Sequence, residues 1–440
     1  MPRTLLFFLV LLTAGFVDGP PLSGFLAQRV VADEPDRAAV VDEVAQPPAG
    51  TLFISGGGVR HDNADVWKRL VQLAADYAER TGVPPGTPPR IAVFATGSLF
   101  PQRSGERIAE VLRTFGADPV IVPVGLQNLP INYREAVADP KIVAEIKEVH
   151  GVYFGGGQQA RIIKALLEDD DSRTPVLEAI WSVYRAGGVV GGTSAGAAVM
   201  SHVMCLGADK QLPLLERGVI EGVETARGLA FMPEGWFIDQ HFLTRGRVAR
   251  ALVIMQNHGV KYGLGIDENT AIVVQNGQVE VTGYSGAMLI DLSEAERLGE
   301  EKEFHLHKAR LSFLAHGDRL DLATREVIPS PEKQDLKPID PGSPDFQPFY
   351  QDPIVSNDIL GNNAVLDVMR KLMDSRHPEA TGLTFDGLKA QQGPTLGFVF
   401  RLYRDQDTKG WPPGALGDDL TITNLRLDVR PVEIHGPLYK

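Results

Sequence analysis

From Gly50 onward, short continuous apolar runs alternate with segments whose apolar residues recur every three or four positions. Thr51-Leu52-Phe53-Ile54-Ser55 is the first run, closed by Gly56-Gly57-Gly58; Trp67, Leu70, Val71 and Ala74 then mark one face of a helix. Residues 91–95 form the next run, with a helix marked by Ile108, Val111, Leu112 and Phe115 behind it. Residues 120–124 and 151–154 repeat the strand signal. Helices are expected around 142–149, from Gln159, and over 175–186 before the run Gly188-Val189-Val190-Gly191. Strands that are apolar at every position are buried on both faces. A mainly parallel sheet with helices on either side provides that burial. Right-handed crossovers then give a doubly wound α/β layer, whose ligand site lies beyond the carboxyl ends of the strands. Three glycine-rich or polar segments fall at such ends: 56–58, 155–159 and 192–196.

The last of these, Gly192-Thr193-Ser194-Ala195-Gly196, joins an apolar strand to the small-residue run Ala197-Ala198-Val199-Met200. A serine flanked by glycines at a strand-to-helix turn is the pattern of a nucleophile elbow. A serine hydroxyl needs a base to take its proton and a group to hold that base. Of ten histidines, His241 is the candidate base, because Asp239-Gln240-His241 is a polar break directly after Phe237-Ile238. Glu268 is the candidate third member and Asp267 its rival; both follow Leu264-Gly265-Ile266. One of the two is expected to serve a local turn. The oxyanion hole needs two N–H donors. Ala195 supplies one by elbow geometry, and Gly157 or its neighbour Gly156 the other. A basic helix is expected over 245–256, with Arg247 and Arg250 as i, i+3 neighbours and Arg245 at its first turn. Three guanidiniums just after the candidate base suit a substrate bearing carboxylates. A solvated basic face is the plain alternative.

At 440 residues the chain can bury one large core and add a small domain. Its net charge of −13 offers no basic surplus for nucleic acid. Cys205 is the single cysteine, which excludes an intrachain disulfide and a Cys-x-x-Cys metal site. Arg3, the apolar run 5–12 and the polar sequence behind it are expected to form a signal peptide over 1–32, cleaved after Ala32 or earlier near Gly19. The run is too short for a comfortable transmembrane helix. Export to the periplasm or exterior without stable membrane insertion is therefore expected, an uncleaved anchor being the alternative. Residues 33–49 are a loose lead-in, and 50–328 are the α/β domain. Seven prolines fall between Pro329 and Pro353, an expected linker or wrapping arm. Residues 354–440 are expected as a small α+β module, with a helix marked by Val365, Val368, Met369 and Leu372. Strands in it are marked by Leu396, Phe398, Phe400 and Leu402, and by Leu425, Leu427 and Val429.

Four blocks in this order resemble the cyanophycinase family of serine peptidases. They are Phe154-Gly155-Gly156-Gly157-Gln158-Gln159 with Arg161; Gly192-Thr193-Ser194-Ala195-Gly196-Ala197; Asp239-Gln240-His241-Phe242 with Arg245, Arg247 and Arg250; and Gly265-Ile266-Asp267-Glu268-Asn269-Thr270-Ala271. The resemblance runs from about Leu52 to about Ile328. It implies a class I glutamine-amidotransferase-like α/β fold, with Ser194 as nucleophile, His241 as general base and acid, and Glu268 as its orienting carboxylate. It implies that Gln159, Asp239 and Gln240 contact substrate and that the three arginines hold carboxylates of an aspartate-type backbone. The implied substrate is cyanophycin, a polyaspartate carrying arginine on each side-chain carboxyl, cut to β-aspartyl-arginine dipeptides. No metal or cofactor is implied. Gln158 departs from the family, where the position is usually Asp, and the region after 328 is an addition to the family core. Two other functions fit the same residues: an aspartyl or isoaspartyl dipeptidase on this fold, and a non-catalytic secreted binding protein. The sequence leaves the oligomeric state open, a homodimer being one outcome.

Overall fold

The computed structural model describes residues 50–127, 129–299, 303–414 and 419–435. The expected signal peptide and the lead-in lie outside them. Five strands pair in parallel in the order β3-β2-β4-β5-β1: β1 (Thr51–Ser55), β2 (Arg90–Phe94), β3 (Asp118–Ile121), β4 (Gly151–Phe154) and β5 (Val189–Thr193). Alternate side chains leave opposite faces of this sheet. Phe53, Val93 and Tyr153 pack against Val66, Trp67 and Leu70 of α1 (Ala64–Arg80) and Leu112 of α2 (Pro101–Thr114). Leu52, Ile54, Phe94 and Phe154 pack on the other side with Val176, Leu177 and Ile180 of the helix Pro175–Arg185. Cover on both faces is why these strands read as continuous apolar runs, and the α/β class expected of them is the class observed.

The third strand begins two residues earlier than its apolar run suggests. Register starts at the pair Arg90 with Asp118, and Pro123 has no N–H to extend the ladder. Beyond β1 the sheet continues antiparallel through Thr270–Gln275, Gln278–Gly283, Arg319–Asp321 and Val327–Ile328. The Asn276-Gly277 turn closes the first of these hairpins with both residues at positive φ.

A second, ten-stranded sheet was not legible in the strand pattern. It runs from Trp236–Gln240 and its parallel neighbour Tyr262–Ile266 through Ala287–Asp291 and Leu306–Leu314 to Thr421–Ile434, Thr395–Tyr403, Glu379–Phe385 and Ile354–Ser356. Most of its pairs are antiparallel. Leu306–Leu314 pairs directly with Thr421–Ile434, so one sheet crosses from the expected α/β domain into the expected C-terminal module. The helix Ala364–Met373 shares a buried cluster with the helix Val248–Asn257. The proline-rich segment is tied down as well. Lys333 is fully buried, with Nζ 3.0 Å from Thr421 Oγ1 and 3.3 Å from Asp318 Oδ1. No helix among the described residues is long and apolar enough to cross a membrane.

Candidate active site

Parallel register brings the ends of β1 and β5 together, Ser55 opposite Thr193. One residue on, Ser194 sits at φ 55°, ψ −115°, and its N–H donates to the Ser55 carbonyl at 3.1 Å. Positive φ is costly for a residue with a Cβ and recurs where backbone strain aims a side chain. The small residues around it are required by packing: a Cβ on Gly192 would lie 2.5 Å from the Gly196 carbonyl oxygen.

His241 follows the strand Trp236–Gln240, and Glu268 follows Tyr262–Ile266, the strand beside it. In-register pairing of Gln240 with Ile266 places their successors together. His241 is also at positive φ, and its N–H donates to the Gly56 carbonyl at 2.7 Å, which ties the second sheet to the end of β1. The outcome is one line of hydrogen-bonding groups. His241 Nε2 lies 2.9 Å from Ser194 Oγ, and Nδ1 lies 2.5 Å from Glu268 Oε1. Burial lowers the imidazole pKa from its ordinary 6.5; Glu268 opposes the shift, and the nearby Arg245 charge adds to it.

Asp267 is used otherwise. Its carboxylate accepts from the Leu243 and Thr244 amides at 3.1 and 2.9 Å and from the Ser285 hydroxyl at 3.1 Å. It therefore caps the turn after His241. That turn, with Gly246 at φ 57°, delays the following helix to Val248–Asn257. Arg245 and Arg247 consequently precede the helix rather than lying on it.

The three arginines have different surroundings. Arg250 is 2% exposed and grips Asp239, 1% exposed, through Nε to Oδ2 at 2.7 Å and Nη2 to Oδ1 at 2.5 Å. Burial works against its charge, but Asp239 outweighs it and the pKa is raised. Arg247 is buried too, donates to the Gln240 carbonyl at 2.6 Å, and is pulled down to about 10 by burial. Arg245 alone is well exposed, with Nε 3.9 Å from Glu268 Oε1. Arg250 and Asp239, expected as substrate contacts, are thus engaged with one another. Deleting Arg250 would strand a buried carboxylate. Arg250→Ala is expected to cost about 3–5 kcal/mol of stability, read from the denaturant midpoint; a loss below about 1 kcal/mol would contradict the pairing.

Gln159 is also occupied, its Nε2 donating to the Cys205 and Leu206 carbonyls at 2.7 and 2.9 Å. Gln240 is buried, with Oε1 left without a hydrogen-bond partner among the described residues. Ala195 opens the helical turn Ala195–Ala198 directly after the serine. Of the two candidate glycines, Gly156 flanks Ser194: a Cβ there would lie 3.6 Å from Oγ, whereas one on Gly157 would meet the Gly97 carbonyl.

Sequence reasoning missed Gly57. At φ 110° a Cβ there would fall 2.3 Å from the His241 Cε1, so only glycine leaves room for the ring. The glycine run 56–58 at a strand end was the signal. A cavity of about 330 Å³ opens beside Ser194 and His241, walled by Trp67, Ile108, Val111 and Tyr153. Burial pushes the Tyr153 phenol up to about 12. No cluster of three or more His, Cys, Asp or Glu among the described residues is arranged to hold a metal ion.

A family model described as Peptidase family S51 matches residues 124–282, the stretch that holds Ser194, His241 and Glu268. The cyanophycinase of Geminocystis herdmanii (strain PCC 6308) is 33% identical over 251 residues, covering 55% of this chain and 86% of that protein. This chain belongs to the cyanophycinase family, S51. The cyanophycinase of Nostoc sp. (strain PCC 7120 / SAG 25.82 / UTEX 2576) is 32% identical over 248 residues, 54% of this chain and 78% of that one. A solved peptidase from an acI-B1 actinobacterium aligns with 55% of this chain and 90% of its own, at 20% identity and a TM-score of 0.42. The S51 chain is a peptidase, of a family in which serine is the catalytic residue.

Proposed function

We propose that this S51 peptidase hydrolyses cyanophycin to β-aspartyl-arginine dipeptides through an acyl-enzyme on Ser194, and that it is exported to do so. The observation that carries the chemistry is the unbroken line from Ser194 Oγ through the His241 ring to Glu268. Ser194 Oγ attacks the scissile carbonyl carbon while its proton passes to His241 Nε2. The developing oxyanion is received by the Ala195 amide, with Gly156 or Gly157 as the second donor. Collapse expels the amine, which takes the proton from Nε2 and leaves an ester on Ser194. Water then attacks with His241 again as base, and the acid is released. Glu268 holds Nδ1–H throughout and stabilises the imidazolium.

The substrate assignment is supported by the cyanophycinases this chain is similar to. The arginine cluster no longer supports it, because Arg247 and Arg250 are buried and engaged. That change favours a second reading, a peptidase of short aspartyl or isoaspartyl peptides, for which Arg245 is the one member of the arginine cluster left as an exposed cation beside the triad. Purified cyanophycin assayed beside short Asp-X and isoaspartyl peptides decides between them. Release of β-aspartyl-arginine is the expected result; turnover of the short peptides alone would establish the second reading. The same assay carries a pH test. A base must be neutral, and burial lowers the His241 pKa below 6.5. The midpoint of the acid limb of the kcat/KM profile should therefore lie below pH 6.5. A midpoint well above 6.5 would count against His241 as base.

A further inference from the structure

The cavity beside Ser194 has a charge asymmetry that the triad does not use. Its lining comes from the loop after β1, from α1 and α2, and from the ends of β4 and β5. Among the described residues no acidic side chain lines it, and its one permanently charged group is Arg107. Arg107 lies on α2, is exposed, and among the described residues its guanidinium forms no hydrogen bond or ion pair. Arg134, Arg173, Arg185, Arg370, Arg401 and Arg426, by contrast, each hold a carboxylate within 3.2 Å. The floor beneath it is apolar and aromatic: Ile108 and Val111 on the same helix, Trp67 and Tyr153 opposite. Such a pocket takes a short apolar stem ending in an anion, held by a guanidinium fork. Gln159, Arg245, Arg247 and Arg250 do not line this cavity, so it is separate from the arginine cluster read from the sequence.

We propose that Arg107 and this cavity form a carboxylate-binding subsite for the substrate residue next to the scissile bond. The inference rests on the peptidase reading of the site and deepens it. In cyanophycin each arginine is joined through its amine, so its own carboxylate is free. That carboxylate, or the equivalent group of another aspartyl peptide, is the ligand the cavity selects. A guanidinium at the far end would meet Arg107 unfavourably, which orients the substrate.

Binding can be measured without turnover on the Ser194→Ala protein. The probes are β-aspartyl-arginine and the same compound with its arginine carboxylate converted to carboxamide. The acid should bind about tenfold or more tightly than the amide, since a charge-assisted fork is lost in the amide. Adding Arg107→Ala should remove that preference, weakening the acid about tenfold and the amide less than about threefold. Arg107→Lys should restore part of it. Equal weakening of both probes, or no effect of Arg107→Ala, overturns the proposal, as does failure of either probe to bind. Wild-type hydrolysis of cyanophycin is scored separately. Its absence, with the acid preference intact and dependent on Arg107, would remove the polymer assignment and keep the subsite.

Discussion

Ser194→Ala should lower kcat by about 10⁴-fold or more while leaving the fold and substrate binding in place. The size follows from what the hydroxyl does. Among the described residues Ser194 Oγ is the nucleophile hydrogen-bonded to His241 Nε2, so without Oγ the acyl-enzyme route is closed. What remains is water activated by the imidazole and the proposed oxyanion amides, which is worth far less. Alanine suits this position structurally because the residue is already held at φ 55° by backbone bonds, not by its hydroxyl. A serine-directed fluorophosphonate should label the wild type and not the variant. Retention of kcat within about tenfold would remove Ser194 from the mechanism. Labelling of neither protein, with no turnover of any aspartyl peptide, would instead favour a non-catalytic binding protein.

The parts of the site that strand ends present were legible in the sequence. Catalysis needs particular side chains at the carboxyl ends of strands, and Ser194, His241 and Glu268 each directly follow an apolar strand run or stand within two residues of one. Burial was not legible. Arg247 and Arg250 look like a solvent-facing cationic pair by spacing, but a turn capped by Asp267 and bent at Gly246 delivers them inward to Gln240 and Asp239. Arg107 was passed over for the opposite reason. Apolar periodicity identifies the packed side of α2 and says nothing of what the exposed side overlooks. The parallel sheet could be derived because its strands alternate with helices in order. The second sheet could not, because its decisive pairing joins Leu306–Leu314 to Thr421–Ile434 across more than 100 residues. Alternating apolar residues mark a strand without naming its partner. Whether the C-terminal residues pack on the α/β domain was accordingly left open by the sequence.

Glu268→Gln should cost about 10⁴-fold in kcat, and Asp267→Asn far less. The two residues are adjacent, and the sequence puts Glu268 first with Asp267 as its rival without deciding between them. The difference is one of contact. Glu268 Oε1 lies 2.5 Å from His241 Nδ1, which fixes the proton there and leaves Nε2 free to accept from Ser194. An amide at 268 can turn its NH₂ toward Nδ1, favouring the tautomer with the proton on Nε2, where it can no longer act as base. It also withdraws the negative charge that offsets burial of the imidazolium, so the His241 pKa should fall further below 6.5. Asp267 touches neither ring nitrogen; its oxygens are taken by the Leu243 and Thr244 amides and the Ser285 hydroxyl. Asp267→Asn keeps one acceptor and should cost about 1–3 kcal/mol of stability, with a modest change in kcat. The pH profile separates a lost tautomer from a loosened turn. Glu268→Gln should move the acid limb downward and depress the plateau, whereas Asp267→Asn should leave the limb where it is. If the two variants exchanged these phenotypes, the carboxylate that orients the base would be Asp267, and the 2.5 Å contact would have to be read as a resting arrangement that substrate displaces.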